Sequence, residues 1–347
     1  MKTLGMLMGR SETIPTATAW HLADLGEARG RQELYTKQSP QRLLVLREHA
    51  LIESAVSSNR IEGVEIDEKR VGTVMFGHPI LRDRDEEEVQ GYREALRLIH
   101  EQAPSLPVSE DTIRRLHQLA RGEIWDAGQY KEKDSDIIER YADGSSRLRF
   151  KTVPADRTPE YMAQLVGLWE ATINERTTHP LIAMAACNLD FLCIHPFRDG
   201  NGRVSRLLLL LQTYHLGFEV GRYISLERII EQHKDRYYET LEQSSQGWHE
   251  GRHDPWPFVN YVLFVLKAGY KEFEQRLGQT KSPRGAKTEM IEAAIAAATG
   301  EFTMASLERA CAGVSRDMIR RVLRAQQVAG AVESLGRGPG AKWRKKG

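Results

Sequence analysis

The stretch HPFRDGNGRVSR, His195 to Arg206, gathers side chains with chemical capacity into one short segment. Gly200 and Gly202 flank Asn201, and glycine lets a backbone turn sharply so that its N–H groups converge on one anion. A helix resumes at Arg203 and turns its positive N-terminus toward the same point. Arg203 and Arg206 are three apart on that helix and are neighbours on one face. Together these features make a phosphate cradle with two guanidinium clamps. Asp199 stands at its edge, and a carboxylate beside polyphosphate requires a cation between them, which implies Mg²⁺. His195 has the near-neutral basicity to take a proton from an attacking hydroxyl. Phe197 between them is read as a core anchor for the loop. A glycine pair alone reads as an ordinary turn between helices. The coincidence of eight specified residues in one register favours the chemical reading.

Two other constellations carry less. SNRIEG, Ser58 to Gly63, reads in isolation as a helix-end serine followed by a solvated glutamate. HEGRH, His249 to His253, fits HExxH, a zinc signature that needs a helix. Gly247, Gly251 and Asp254-Pro255 argue instead for a polar loop. His49, His179, His215 and His233 have no ligand-type neighbours in sequence and read as packing residues.

The elements that must position the motif are mostly helical. Residues 1–38 read as an irregular arm. Ser39-Pro40 signals a helix start, and apolar residues at helical spacing carry that helix to about Ser57 or Ser58, with Gly63 just beyond. Further helices are predicted over 86–101, 111–120, 160–175, 180–194, 203–215, 225–245 and 255–277. The helix over 180–194 is dense in apolar residues and is expected to be central. Between 135 and 153, Asp143-Gly144 separates two short β-prone runs, a hairpin signal. Residues 278–285, GQTKSPRG, read as a linker. Helices at 287–298, 303–311 and 315–328 follow, with a turn at 312–314.

The 347 residues suffice for two or three domains, with 41% hydrophobic and 28% charged residues. No apolar run approaches the roughly 20 residues of a membrane span, and no secretory signal opens the chain. Three cysteines without CxxC spacing argue against a disulfide framework or a cysteine zinc site and for a cytoplasmic location. The net charge of +1 is uneven: residues 281–347 hold 13 Lys and Arg against 6 Asp and Glu, and the rest hold 36 against 42. The basic end is where a polyanion partner is expected.

The pattern HxFx(D/E)GNGRxxR, met by His195 to Arg206 without departure, resembles the signature of the Fic (filamentation induced by cAMP) domain family. The resemblance implies an all-α fold, a Fic-type helical core with a β-hairpin flap. It implies transfer of AMP from ATP–Mg²⁺ to a Ser, Thr or Tyr hydroxyl of a target protein. His195 would be the general base and Asp199 the Mg²⁺ ligand. Gly200, Asn201 and Gly202 would hold the α/β-phosphates, and Arg203 and Arg206 the outer ones. The hairpin would dock the target by strand pairing, clamped by Ile137 and Ile138. Gly128-Gln129-Tyr130-Lys131 resembles a Gly-x-Tyr-Arg stretch that precedes the flap, with lysine replacing arginine. Tyr237-Tyr238 resembles a tyrosine pair at the adenine pocket, Tyr237 being the better candidate and helix packing the plainer reading. Eight positions on, Ser245 stands where some members have asparagine. SNRIEG resembles the inhibitory motif (S/T)xxxE(G/N), placing Ser58, Glu62 and Gly63 in a brake. There Glu62 would make a charge-assisted contact, bidentate at best, with Arg206.

The C-terminal helices have helix-turn-helix spacing, and the glycine-rich stretch from Ala329 to Trp343 suits a β-wing; the unit resembles a winged helix. Arg316, Arg320 and Arg324 form a stripe that would bind DNA, or would be the solvated face of a protein-interaction domain. The expected organisation is an arm and inhibitory region over 1–100, the catalytic core over 101–277, a linker over 278–286 and the winged-helix-like domain over 287–347. Expected partners are a protein target, the chain itself as a target, DNA, and a second copy in a homodimer. Removal of AMP, a different nucleotide donor, and a DNA-bound regulator with a nucleotide-sensing Fic domain are the competing functional readings.

Overall fold

The computed structural model of the chain describes residues 2–9, 13–36, 40–76, 81–140, 143–278, 286–298, 300–311, 314–336, 338 and 341–346. Two helices, α1 (Thr3–Gly9) and α2 (Thr16–Thr36), occupy the segment predicted to be irregular. Neither shows a sustained apolar period, because each is held by contacts distant in sequence. The first N–H groups of α1, from Thr3 and Leu4, donate to the buried Asp190 carboxylate at 2.9 and 3.0 Å. On α2, the Thr18 hydroxyl donates to Asn260 at 2.7 Å, and Gln32 accepts from the Tyr270 hydroxyl at 2.5 Å.

Helix α3 (Pro40–Ile61) runs a turn beyond its predicted end, which puts Ser58 inside the helix and Glu62 just past it. The Asn59 side chain donates to the Ala55 carbonyl at 2.8 Å, and Gly63, at φ +84°, turns the chain away. The predicted Ser39 cap lies outside the described residues. A short helix, α4 (Glu68–Phe76), was not anticipated from the sequence pattern. Helices α5 (Arg84–Gln102) and α6 (Glu110–Arg121) match their predicted positions, capped by Asp83 and Ser109 side chains.

The predicted hairpin is present as β1 (Ile137–Arg140) and β2 (Ser146–Phe150), antiparallel, with Ile138 opposite Leu148 and a shift of register between Ile137 and Ile138. Helices α7 (Thr158–Glu175), α8 (Pro180–Ile194) and α9 (Asn201–His215) follow. Every residue of α8 from Leu181 to Ile194 is buried, as its composition requires. Helix α9 begins two residues earlier than predicted, so Asn201 and Gly202 form its first turn and Gly200 precedes it. The single helix predicted over 225–245 is two, α10 (Leu226–Gln232) and α11 (Lys234–Ser245), because His233 leaves helical geometry at φ −118°, ψ 33°. The long α12 (Trp256–Gly278) closes the main body.

The predicted linker falls mainly on residues 279–285, outside the described residues. The C-terminal unit comprises α13 (Ala286–Ala296), β3 (Glu301–Thr303), α14 (Met304–Ala310), α15 (Arg316–Val328), β4 (Val332–Ser334) and β5 (Lys342–Lys345). The helix predicted over 303–311 starts at Met304, because Thr303 serves as its cap in a reciprocal pair with Ser306 while pairing as a strand. The strands form one antiparallel sheet in the order β3-β5-β4. Ile319, Val322 and Leu323 of α15 are buried. Two apolar cores result, a large one in the body and a small one in the C-terminal unit. Val45, on α3, belongs to the small core. One helix therefore serves the C-terminal unit at its start and the motif at its end.

Candidate active site

The motif occupies the break between α8 and α9. His195 caps α8 in the left-handed region, φ 53° and ψ 60°, and its N–H donates to the Phe191 carbonyl. Asn201 braces the loop from inside: its Oδ1 accepts from Phe197 N–H at 2.9 Å and its Nδ2 donates to Phe197 O at 2.7 Å. Phe197 is fully buried and stacks on His117, ring centroids 3.8 Å apart. His117 Nδ1 accepts from Gly128 N–H at 2.8 Å, so Nε2 carries the proton and donates to the Asp199 carbonyl at 3.0 Å. Gly200 sits at φ +79°, and a Cβ there would lie 2.9 Å from the Arg121 side chain. At Gly202 a Cβ would run into the Glu62 carboxylate. Gly200 is thus required by its positive φ, and a side chain at Gly202 would displace the Glu62 carboxylate.

A cavity of about 300 Å³ opens at the motif, lined by His195 and Gly202, by Glu62, by Ile137 and Phe150 of the hairpin, and by Tyr237, Tyr238 and Ser245 of α11. Burial pulls the His195 pKa down to about 4, helped by the cationic Lys131 and opposed by Glu62 and Asp199. The imidazole is neutral at physiological pH. Ile138 points the other way on its strand and is 54% exposed, so only one of the two predicted clamping residues lines the cavity. Tyr237 is buried against Tyr238, Phe258 and Tyr261.

The two motif arginines have different partners. Arg206 donates through Nε to Ser58 Oγ at 2.8 Å and through Nη2 to Ser58 O at 2.9 Å and Glu62 Oε1 at 2.8 Å. The contact with Glu62 uses one guanidinium nitrogen and one carboxylate oxygen, so it is not bidentate. Arg206 Nη1 is buried and has no hydrogen-bond partner. Burial works against the Arg206 charge, yet Glu62 raises its pKa above the ordinary value. Arg203 is 1% exposed and donates through Nη1 to Glu88 at 2.5 Å and to Asn59 at 3.1 Å.

Glu88, Arg121 and His117 are functional-site residues that local motif reading missed. Glu88 Oε1 accepts from Arg121 at 2.6 Å and pairs with Arg84 at 3.0 Å. Arg121 also pairs with Asp199 at 2.9 Å. Burial alone would raise the Asp199 pKa, but Arg121 and the Gly200 N–H bring it below the usual carboxylate value. In the sequence Glu88 closes the run DEEE, which reads as a solvated helix start. The available signal was His117 and Arg121, four apart on one face of a helix.

HEGRH is not helical; His249 Nε2 contacts Lys151 O and His253 Nε2 contacts Thr3 Oγ1, so the two rings serve different neighbours. Among the described residues no group of three or more His, Cys, Asp or Glu could hold a metal ion by itself. Among the same residues no helix is long and apolar enough to cross a membrane.

Comparison with known proteins agrees with this geometry. The sequence profile of the Fic/DOC family matches residues 107–213. The protein adenylyltransferase Fic of Nematostella vectensis is 26% identical over 181 residues, 50% of this chain and 36% of that protein. Protein adenylyltransferase fic-1 of Caenorhabditis elegans is 30% identical over 212 residues, 58% of this chain and 36% of that protein. The chain thus spans about a third of the length of these two relatives. A Fic family protein of Desulfovibrio desulfuricans superposes with TM-score 0.63 at 24% identity, covering 97% of this chain and 98% of the other. Residues 134–508 of C. elegans Fic-1 superpose with TM-score 0.59 at 21% identity, covering 76% and 74%. The mainly helical fold with its hairpin is the fold of these neighbours, and residues 107–213 of this chain are a Fic/DOC family domain.

Proposed function

We propose that this chain is an autoinhibited protein adenylyltransferase, moving AMP from ATP to a Ser, Thr or Tyr hydroxyl of a protein. The observation that carries this reading is the cavity itself. The neutral imidazole of His195 and Gly202 line it together with Glu62, and behind Glu62 stands its partner Arg206, whose buried Nη1 has no hydrogen-bond partner. An unpartnered buried donor of that kind suits an anionic phosphate oxygen. His195 takes the proton of the incoming hydroxyl, whose oxygen bonds to the α-phosphorus as the bond to pyrophosphate breaks. The N–H groups at Asn201 and Gly202 and the positive end of α9 hold the phosphates against the developing charge, while the Gly200 N–H donates to Asp199 at 2.6 Å. Arg206 serves the outer phosphates, and Arg203 braces the helix that carries it.

Mg²⁺ would be held by Asp199, a hard oxygen donor 60% exposed at the loop surface, with the phosphates supplying further oxygens. The ion would neutralise phosphate charge in the transition state. Glu62 is the brake: it occupies Arg206 and crowds Gly202, so the outer phosphates cannot reach their productive place. Tyr237 flanks the base pocket, and the hairpin offers β1 to the target, with Ile137 toward the cavity.

The test is intact-protein mass spectrometry after incubation with Mg²⁺–ATP, using self-modification as the readout. One AMP added to Glu62→Gly, and none to wild type or to His195→Ala, supports transfer and brake together. No addition to any form, with a supplied flap-compatible peptide also unmodified, argues for AMP removal or another donor.

A second activity is proposed for residues 286–346. Their order of elements, α13-β3-α14-α15-β4-β5, supports a winged-helix reading, and α15 carries exposed Arg320, Arg321 and Arg324. Arg316 and Arg320 also pair with Glu308 and Asp317 at the surface. We infer DNA binding through this helix, measured as duplex affinity that falls steeply between low and moderate salt. Equal affinity at both salt concentrations argues for a protein partner instead.

A further inference from the structure

Lys131 stands immediately before the hairpin and is 5% exposed. Its backbone N–H donates to the Pro196 carbonyl at 2.8 Å. Its ammonium donates to the Ile194 carbonyl at 3.2 Å and to Thr152 Oγ1 at 2.7 Å. Ile194 and Pro196 are the two neighbours of His195. One residue therefore grips the chain on both sides of the imidazole, where His195 holds a left-handed conformation that costs a non-glycine residue energy. Thr152 lies just past β2 at the base of the hairpin, and its hydroxyl donates to the Ser135 carbonyl, just before β1, at 3.0 Å, so the two flanks of the hairpin meet at the hydroxyl that accepts from the ammonium.

We propose that Lys131 is a positioning residue for His195, fixing the strained turn that aims the imidazole and joining it mechanically to the base of the flap. A strained turn persists only where its surroundings over-determine it, and here the surroundings include a buried cation whose hydrogen-bonding partners span flap and histidine. The arrangement has an electrostatic consequence. The charged groups facing the imidazole are Lys131, Glu62 and Asp199; Lys131 favours the neutral ring and the two carboxylates favour the protonated one. Burial lowers the Lys131 pKa to about 8, with Asp134 and Asp136 working against that shift, so the ammonium is charged at pH 7. Removing that charge must therefore raise the His195 pKa.

The experiment follows the His195 ring by NMR against pH, its resonance identified by loss in His195→Gln, in wild type, Lys131→Met and Lys131→Arg. The expected result is a His195 midpoint displaced upward by about half a pH unit or more in Lys131→Met and near wild type in Lys131→Arg. Thr152→Val, which keeps the cation and cuts its tie to the flap, is expected to leave the midpoint in place. In a Glu62→Gly background, Lys131→Met is expected to lower AMP transfer roughly 10- to 100-fold, with Lys131→Arg retaining most of it. This activity arm rests on the adenylyl-transfer reading; the titration arm does not. A displaced midpoint without any AMP transfer in the Glu62→Gly parent would sink the transfer reading and leave the positioning role intact. A folded Lys131→Met protein whose His195 midpoint is unmoved overturns the positioning role. If Lys131→Met does not fold, Lys131→Gln carries the same comparison.

Discussion

Arg203 and Arg206 lie three residues apart on one helix, and both are almost wholly buried, at 1% and 3% exposure. Their counter-ions are opposites. Arg203 answers to Glu88, itself 3% exposed, in the second turn of α5, and shared with Arg121 and Arg84. Arg206 answers to Glu62, whose side chain is 29% exposed and sits just past the end of α3. A buried ion pair cannot lose one partner without stranding the other charge. A partly exposed carboxylate can turn to water and leave Ser58 to hold the guanidinium. Identical residue types at helical spacing thus meet a buried scaffold partner on one side and, on the proposed function, a switch partner on the other, and the difference lies in the partner.

The largest expected effect breaks the scaffold side. Glu88→Gln leaves Arg203, Arg121 and Arg84 without their common carboxylate, and about 3–5 kcal/mol of stability should be lost, read by urea denaturation. A loss below about 1 kcal/mol would remove the contrast between the arginines. On the switch side, Glu62→Gly should raise AMP incorporation by roughly 10²-fold while changing unfolding stability by about 1 kcal/mol or less. Equal incorporation rates in wild type and variant would end the switch interpretation.

Acid pH sharpens the comparison further. The folded-state pKa of His195 is depressed to about 4 from an ordinary 6.5. Its contribution to stability is therefore complete above pH 6.5 and is lost as the pH falls through about 4. As the proposed general base, His195 is likewise available throughout the neutral range. The acid limb of the rate profile of Glu62→Gly should fall nearer pH 4 to 5 than 6.5, and a limb at 6.5 would contradict the burial of the ring. The smallest effect concerns the flap, where Arg147 and Arg149 of β2 both pair with Glu242 of α11, at 2.7 and 3.1 Å. Glu242→Gln should weaken nucleotide binding by about two- to five-fold, since such partly exposed pairs contribute about 1 kcal/mol or less. Added salt should erase the difference; a salt-independent change would point to a direct contact with the nucleotide.

What the sequence disclosed follows the same line between local and distant. Residues 195–206 are contiguous, so the loop, its glycines and its following helix could be read directly, and the hairpin announced itself through Asp143-Gly144. Ser58 and Glu62 stood out only through the resemblance of SNRIEG to an inhibitory motif, and the register of their contact with Arg206 was not legible. Glu88 and Arg121 were not legible as site residues, and Lys131 stood out by resemblance but its role did not, because each acts across 60 or more residues of chain on a partner no periodicity specifies. Helix α1 escaped for that reason too: its cap is Asp190. The break at His233 and the short strand β3 were hidden by side-chain patterns equally compatible with uninterrupted helix.

Helix α3 has mechanical significance as well. Val45 is rooted in the small C-terminal core, and Glu62 lies seventeen residues along, a span of about 25 Å at helical rise. Considered as a stiff lever pivoting at Val45, a tilt of about 5° displaces its far end by about 2 Å, a distance comparable to the whole 2.8 Å separation between Glu62 and Arg206. On that geometry, a small tilt at one end of α3 would be enough to break the contact at the other.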